Sequence, residues 1–423
     1  MALRVRAHRR RNQIRGFGYL RNLGPGIITG ASDDDPSGIG TYSQVGAAFR
    51  FGFLWTAPFT LPMAAAVQET AARLGLATGK GLATLIGERF PRWVLVSSVC
   101  LVAVANIFNI GADLGSMAAA IRLLAPIPYT LLIIVVTIGM LALEVLIPYG
   151  RYSAVLRWLT VSLVAYVAML FVVNVRWGEV LRATIVPSLS WTRPQIAALI
   201  AILGTTISPY LFFWQASEEV EEQEKDGTSD DPLEPGHLRH MRVDILAGMG
   251  SAVIVMFAIM VASGATLGSN GITTITSAQQ AAEALKPIAG RFAALLFTLG
   301  IVGTGLLAVP VLAGSTAYAI AEALGQPEGL SKRFREAKGF YSIIAAAMLV
   351  GLGMDFVGID PVRALYLAAI LNGLAAPPLI LLMLLLSRSR EICGRWTGGP
   401  ISVGLMVAAL MLMTALPIVY LAL

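Results

Sequence analysis

Cysteine and histidine are scarce in this chain, which contains two of the first and three of the second. Cys100 lies in an apolar run and Cys393 in a polar loop, which excludes a disulfide framework and a thiolate metal site. His8, His237 and His240 lie in the N-terminal tail or in the polar segment after the sixth apolar run. The imidazole that usually titrates near neutral pH is therefore absent from the apolar runs.

Charge is also scarce: 13% of the residues are charged and 56% are hydrophobic, with a mean hydropathy of +0.73. These values exclude an ordinary soluble domain and predict a polytopic membrane protein. Apolar runs of roughly 20 residues, the length that spans a bilayer, occur about eleven times. Their approximate cores are residues 25–48, 53–75, 94–121, 127–148, 153–174, 194–216, 243–267, 288–324, 339–358, 362–386 and 400–422. We expect one transmembrane domain over residues 23–423, with no enzyme activity and no cofactor.

The distribution of basic residues predicts the orientation. Residues 1–22 form a basic tail that lacks the features of a cleaved signal peptide. With this tail inside, roughly 23 Lys and Arg residues fall on the cytoplasmic side and about 8 outside. We expect a cytoplasmic N-terminus and an external C-terminus in the cell (inner) membrane. The net charge of +6 then reflects topology, and nucleic-acid binding is not expected.

Three consecutive aspartates, Asp33, Asp34 and Asp35, interrupt the first apolar run in the stretch GASDDDPSGIGTYSQ. Each charge facing lipid would cost about 2.5 to 3.5 kcal/mol. Pro36 removes a backbone donor, and the nearby glycines loosen the chain. We expect the helix to be unwound near Asp34 to Gly38, where it would line a watery cavity.

The sixth apolar run contains a second interruption. In ILGTTISPYLFFWQASEE, Thr205, Thr206 and Ser208 directly precede Pro209. Five spans separate the two breaks, which places them at corresponding positions of two halves with opposite orientation. Paired broken helices in inverted repeats are typical of secondary transporters that bind substrate at mid-membrane. The alternative is that Pro209 is a simple kink and that the aspartates pack at a seam of the bundle.

At these residues the chain resembles the NRAMP family of metal-ion transporters. The stretch GPGIITGASDDDPSGIGTYSQVGA is similar to the opening of that family's first helix, and the resemblance continues through VQETAARLGLATGKGLATLIGERFPR and DPVRALYLAAILNGLAAPP. It implies an all-α membrane protein with a LeuT-like fold of about eleven helices. Helices one to five (about 23–175) and six to ten (about 194–387) would form the inverted repeats, and the last helix would span about 400–422.

The resemblance also assigns the binding residues of the two broken helices. The family's metal-binding aspartate falls on Asp35, and its ligand asparagine falls on Gly38. In helix six, Thr205, Ser208 and Tyr210 stand where the family has alanine, methionine and histidine. The soft thioether ligand is therefore missing.

Helices three and ten depart from the family in the same way. The pattern tied to proton movement leaves Asp113 in place and puts Ser116 where the family has glutamate. The family's glutamine in helix ten falls on Ala369, and Asn372 lies one turn further on as a substitute. The predicted substrate-binding residues are Asp34, Asp35, Ser37, Gly38, Thr205, Ser208, Tyr210 and Asn372, with Asp35, Thr205 and Ser208 as metal ligands, and the candidate proton or ion pathway comprises Asp113, Ser116 and Glu69.

These departures predict the substrate. Hydroxyl, carboxylate, carbonyl and water oxygens suit hard cations, whereas a thioether favours softer metals. Ser208 and Gly38 are also smaller than methionine and asparagine, so we expect a wider site that suits a partly hydrated Mg²⁺. The resemblance is strongest to the NRAMP-related magnesium transporters. Because Tyr210 and Ser116 do not titrate near neutral pH, we expect transport by alternating access without obligatory proton coupling, with Mn²⁺ as a further substrate.

Two other functions fit the same residues. The amides that begin the half-helices after Ser37 and Pro209 are suited to a small anion such as bicarbonate, with Na⁺ held by Asp35. The second alternative is an ion sensor that binds without transporting. The expected partners in every case are an inorganic ion and the lipid bilayer, and the oligomeric state is left open.

Overall fold

The structure is a computed structural model that describes residues 25–147, 164–172, 175–227 and 233–423. Within these ranges the chain is helical, and none of the described residues forms a strand. The predicted tail at 1–22 and most of the predicted fifth span lie outside the described residues.

The described residues form the following α-helices. In chain order they are α1 (Pro25–Asp33), α2 (Pro36–Phe49), α3 (Thr56–Thr78), α4 (Leu82–Arg89), α5 (Arg92–Arg122), α6 (Tyr129–Leu146), α7 (Val164–Val172), α8 (Trp177–Ile185), α9 (Arg193–Thr206), α10 (Pro209–Asp226), α11 (Pro235–Thr266), α12 (Ala278–Glu283), α13 (Lys286–Ala289), α14 (Ala293–Leu324), α15 (Lys338–Met354), α16 (Pro361–Arg388), α17 (Arg390–Cys393) and α18 (Pro400–Ala422).

Every expected apolar run apart from the fifth coincides with one of these helices or with a pair of them. By length and composition alone, 8 helical stretches of the described chain could cross a membrane. The first run (α1 and α2) and the second run (α3) fall outside that count. The fifth is described only over Val164–Val172.

Both predicted helix breaks are present, and the first is shorter than expected. Only Asp34 and Asp35 interrupt the first run, because Pro36 starts α2 and Gly38 already lies in its first turn. The expected unwinding as far as Gly38 is therefore wrong. Proline is well suited to the first turn of a helix, since its missing N–H has no partner there in any case. The second break, between α9 and α10, consists of Ile207 and Ser208.

Glycines let the broken helices approach their neighbours closely. A Cβ atom at Gly30 of α1 would overlap the backbone of Gly248 in α11. A Cβ atom at Gly204 of α9 would overlap the backbone of Ala369 and Gly373 in α16. Contacts between backbones through small residues are the usual way for membrane helices to pack tightly. They hold the two breaks in the interior of the bundle, while α18 packs outside on α3, α9 and α16.

Candidate cation site

Asp35 occupies the first break and caps the helix that follows it. Its Oδ1 accepts hydrogen bonds from the backbone amide of Gly38 at 2.7 Å and from the hydroxyl of Ser37 at 2.7 Å. The side chain is 1% exposed. A carboxylate at a helix N-terminus is stabilised by the free amides and by the helix dipole. The local sequence Asp-Pro-Ser-Gly therefore holds a buried negative charge in a fixed orientation.

The second oxygen of Asp35 is held by a residue that the sequence analysis missed. Asn109 of α5 donates its side-chain amide to Oδ2 of Asp35 at 2.9 Å. Because its nitrogen makes this bond, the oxygen of Asn109 is left over. That oxygen is buried and has no hydrogen-bond partner among the described residues. The sequence does contain one indication of this role: Asn109 lies one helical turn before Asp113, and residues four apart share a helix face.

Asp113 lies beside this pair on α5. It is completely buried, and its charge interacts with that of Asp35. The backbone amide of Ser37 approaches its carboxylate, yet neither oxygen has a hydrogen bond of good geometry within the described chain. A buried carboxylate without such hydrogen bonds costs folding free energy unless a cation accompanies it. Ser116 does not supply a partner, because its hydroxyl donates to the carbonyl of Asp113 at 2.8 Å.

Thr205 faces Gly38 across the gap between α9 and α2. A Cβ atom at Gly38 would lie 3.3 Å from Oγ1 of Thr205 and 3.3 Å from the carbonyl oxygen of Asp33. The space in which an asparagine would project is therefore already lined by these two oxygens. The site is not widened at Gly38, contrary to the expectation from side-chain size. Oγ1 of Thr205 is buried and has no partner in the described part of the chain.

Ser208 and Tyr210 lie at the second break with their hydroxyl groups engaged. The Ser208 hydroxyl contacts the carbonyls of Gly204 at 2.9 Å and Thr205 at 2.8 Å. Tyr210 donates its hydroxyl to the carbonyl of Ser32 at 2.8 Å, which joins α10 to the end of α1. Each oxygen keeps a lone pair for a cation, although its proton is already bound to the backbone.

Asn372 lies on the side of α16 that faces the two broken helices. Leu365 packs on Gly40 of α2, and Ala369 packs on Gly204 of α9. At 100° per residue, position 372 falls on the same side of α16 as position 365. Both polar atoms of the Asn372 side chain are buried without a partner among the described residues. The side chain is therefore available to a ligand between the two broken helices.

The remaining predicted acidic residues divide into two groups. Asp33 and Asp34 are buried beside Asp35, and each has one oxygen, Oδ1, without a partner in the described ranges. Glu69 is engaged elsewhere, because its oxygens accept hydrogen bonds from Arg73, Arg242 and Ser402. The structure thus places Asp34 with the candidate site and Glu69 in an ion-pair network between α3, α11 and α18.

Comparison with known proteins identifies the family. Residues 26–423 match the Nramp family, natural resistance-associated macrophage protein-like. The chain belongs to the Nramp family. This confirms the resemblance that was predicted from the first helix, and with it the prediction that the chain is not an enzyme.

Two bacterial relatives extend this comparison. The chain is 26% identical over 418 residues to the divalent metal cation transporter MntH of Caldanaerobacter subterraneus subsp. tengcongensis, which covers 96% of this chain and 94% of the relative. It is 25% identical over 416 residues to MntH of Clostridium acetobutylicum, with 96% and 91% covered.

Solved structures confirm the predicted fold class. The manganese transporter of Eremococcus coleocola superimposes with a TM-score of 0.72 at 18% identity, over 95% of this chain and 87% of that one. Mhp1, a nucleobase-cation-symport-1 family transporter, superimposes with a TM-score of 0.59 at 14% identity, over 94% and 92%. The fold of this chain is therefore the all-α, LeuT-like fold that Nramp transporters share with Mhp1.

Proposed function

We propose that this chain is a secondary transporter of divalent metal cations, with Asp35 as the central ligand. One observation carries the proposal: a buried carboxylate is held by α2 and Asn109, and buried oxygens of Asn109, Asp113 and Thr205 in the same region have no partner among the described residues. Oxygen atoms left without donors in an apolar interior are what a cation would satisfy. The Eremococcus and Caldanaerobacter relatives, named for manganese and divalent metal transport, support the same class of substrate.

The site suits a cation better than an anion. Bicarbonate would need the free amides that begin α2, but the carboxylate of Asp35 already accepts the amide of Gly38. An anion there would meet the charges of Asp35 and Asp113 in a medium of low dielectric constant. The bicarbonate alternative would therefore need Na⁺ or another cation to enter with it.

The donor atoms favour a hard cation, and we propose Mg²⁺ as the main substrate with Mn²⁺ as a second one. Carboxylate, amide and hydroxyl oxygens line the gap at Asp35, Asn109 and Thr205, whereas the family's thioether position carries Ser208. Mg²⁺ binds through one or two carboxylates and keeps several waters. We further propose that transport proceeds by alternating access in the inner membrane, with the N-terminus in the cytoplasm and without obligatory proton coupling.

Flux measurements test this function. Purified protein in liposomes is supplied separately with Mg²⁺, Mn²⁺ and bicarbonate, and entry is followed with an indicator trapped inside. We expect Mg²⁺ entry that saturates with concentration and competes with Mn²⁺. Bicarbonate entry without a divalent metal would refute the proposal in favour of the anion transporter. Saturable Mg²⁺ binding by calorimetry with no flux of any ion would identify a sensor instead.

A further inference from the structure

A cavity of about 420 Å³ lies between α3, α11 and α18, apart from the candidate cation site. Its size is in the range of cavities that hold small molecules. The wall is apolar and consists of Pro62, Ala65, Ala66, Ile245, Leu246 and Leu405. Leu246 is 55% exposed and Ile401, at the rim, is 79% exposed. Because α11 and α18 are long enough to span the membrane, this cavity opens sideways toward lipid.

A cluster of charged groups closes one end of the cavity. Oε1 of Glu69 accepts hydrogen bonds from Nε of Arg73 at 3.2 Å and from Nη2 of Arg242 at 3.0 Å. The side chain of Arg73 is 2% exposed, whereas that of Arg242 is 52% exposed. Two guanidinium groups thus share one carboxylate, and the positive charge that remains is presented by Arg242.

The first turn of α18 adds hydrogen-bond donors at the same end. Gly399 precedes the helix and has no side chain that could cap it. The first hydrogen bond of the helix runs from the amide of Val403 to the carbonyl oxygen of Gly399. The amides of Ile401 and Ser402 come before that bond, and both residues line the cavity. The start of this 23-residue helix therefore places the positive end of its dipole beside Arg242.

We propose that this cavity binds one anionic phospholipid, with the phosphate at Arg242 and the start of α18 and an acyl chain along the apolar wall. The positive charge of Arg242 selects an anionic headgroup, and the opening toward lipid admits the acyl chain. The polar end lies at the level where α18 begins, which is a membrane face; in the expected orientation it is the cytoplasmic face, where anionic lipids attract basic groups. The bound lipid would connect α18, which lies outside the two repeats, to α3 and α11.

Native mass spectrometry of the full-length protein tests this site. Wild-type protein in mild detergent is titrated with phosphatidylglycerol, phosphatidylcholine and inorganic phosphate. We expect one retained phosphatidylglycerol per chain, weaker retention of phosphatidylcholine, and no displacement by inorganic phosphate. Arg242→Gln should weaken phosphatidylglycerol retention about fivefold, as expected for one arginine at a membrane surface. Arg239→Gln, an exposed arginine on the same helix, is the matched control and should bind like wild type.

A second variant separates lipid binding from folding. Ala65→Phe places a ring in the apolar wall and leaves Arg242 and Glu69 intact, so it should reduce phosphatidylglycerol retention while the protein stays monodisperse. Equal retention of both lipids, or wild-type retention by Ala65→Phe and Arg242→Gln, would overturn the proposal. If Arg242→Gln does not fold, lipid retention by Ala65→Phe decides the test. Metal flux is measured on the same variants after reconstitution in liposomes, so failure of lipid binding is distinguishable from failure of the transport function.

Discussion

Asn109 and Asp35, 74 residues apart in sequence, are joined by a hydrogen bond of 2.9 Å from the asparagine amide to the carboxylate. This bond connects α5 to the break in the first helix. With Gly38 and Ser37 on the other oxygen, it fixes the carboxylate in one orientation. A site held in advance loses less entropy on binding its ion.

Replacing Asp35 by asparagine should abolish metal uptake and leave the fold intact. Asparagine caps a helix about as well as aspartate, so the start of α2 is preserved while the ligand charge is lost. We expect uptake to fall by about 100-fold or more, since even the partners of metal ligands account for roughly 10 to 100-fold. Uptake into liposomes and the melting temperature are measured together.

Asp360 provides the control for that substitution. It caps α16 in the same manner, accepting from the amides of Val362 and Arg363 ahead of a proline. Asp360→Asn should retain wild-type uptake. Normal Mg²⁺ uptake by Asp35→Asn would remove Asp35 from the ligand set.

Asn109→Ala should weaken metal binding without abolishing the fold. The change removes the donor that orients Asp35 and the free amide oxygen beside Asp113. A loss of about 10 to 100-fold in apparent affinity is expected for a group that orients a ligand, with a smaller change in maximal rate. Concentration-dependent uptake gives both quantities. An unchanged half-saturation concentration would show that Asn109 has only a packing role.

Ser208→Met should shift the preference toward Mn²⁺ by supplying a soft ligand. We expect a shift of about tenfold in the Mn²⁺ to Mg²⁺ competition ratio, which corresponds to ~1.4 kcal/mol. Gly38→Asn as a single substitution should impair the protein, because Oγ1 of Thr205 and the carbonyl oxygen of Asp33 already line the space that the asparagine side chain would enter. A triple variant that combines Ser208→Met, Gly38→Asn and Thr205→Ala removes the hydroxyl of Thr205, which is one of these two oxygens. A competition profile that stays unchanged in the triple variant would contradict this account of selectivity.

Glu328, in the polar connection between α14 and α15, should make stability depend on pH. Its burial, together with the charge of Glu322, raises the pKa of Glu328 to about 9. In the unfolded chain the pKa of the same group is near 4.5. Between pH 4.5 and pH 9 the folded state therefore holds a proton that the unfolded state has released. This contribution to stability is complete at low pH and decreases as the pH rises toward 9.

The substitution Glu328→Gln removes that dependence. Its melting temperature should match that of wild type near pH 5 and exceed it increasingly up to pH 9. Glu391→Gln, at a side chain that is 80% exposed, should show no such divergence. Parallel curves for wild type and Glu328→Gln over this range would show that Glu328 is charged in the folded protein.

The sequence predicted the parts of this structure that depend on local chemistry. Pro36 and Pro209 mark both breaks because proline starts a helix more easily than it continues one. The filling of the space at Gly38 by Thr205 could not be predicted, since it depends on how α9 packs against α2. The role of Asn109 was missed for the same reason, because a polar residue within an apolar helix does not reveal its distant partner.

Our last prediction is that Mg²⁺ enters without a stoichiometric proton. Proton movement through a membrane protein requires a chain of groups that titrate, usually Asp, Glu and His. Tyr210 and Ser116 stand where the family has histidine and glutamate. Their hydroxyl groups donate hydrogen bonds to the carbonyls of Ser32 and Asp113. Asp113, Asp33 and Asp34 remain as buried acids beside Asp35, and Glu69 is paired with arginines.

The measurement uses liposomes that contain a pH-sensitive dye and a Mg²⁺ indicator, with a Mg²⁺ gradient and a potassium gradient clamped by valinomycin. We expect the Mg²⁺ signal to rise while the dye stays silent, and Asp35→Asn liposomes to show neither change. Internal acidification in fixed proportion to Mg²⁺ entry would refute the prediction, because it would reveal proton symport. Asp113→Asn would then identify the proton carrier: loss of acidification with Mg²⁺ entry retained would assign the proton to Asp113. An alkaline signal that requires bicarbonate and no metal would instead support the anion alternative.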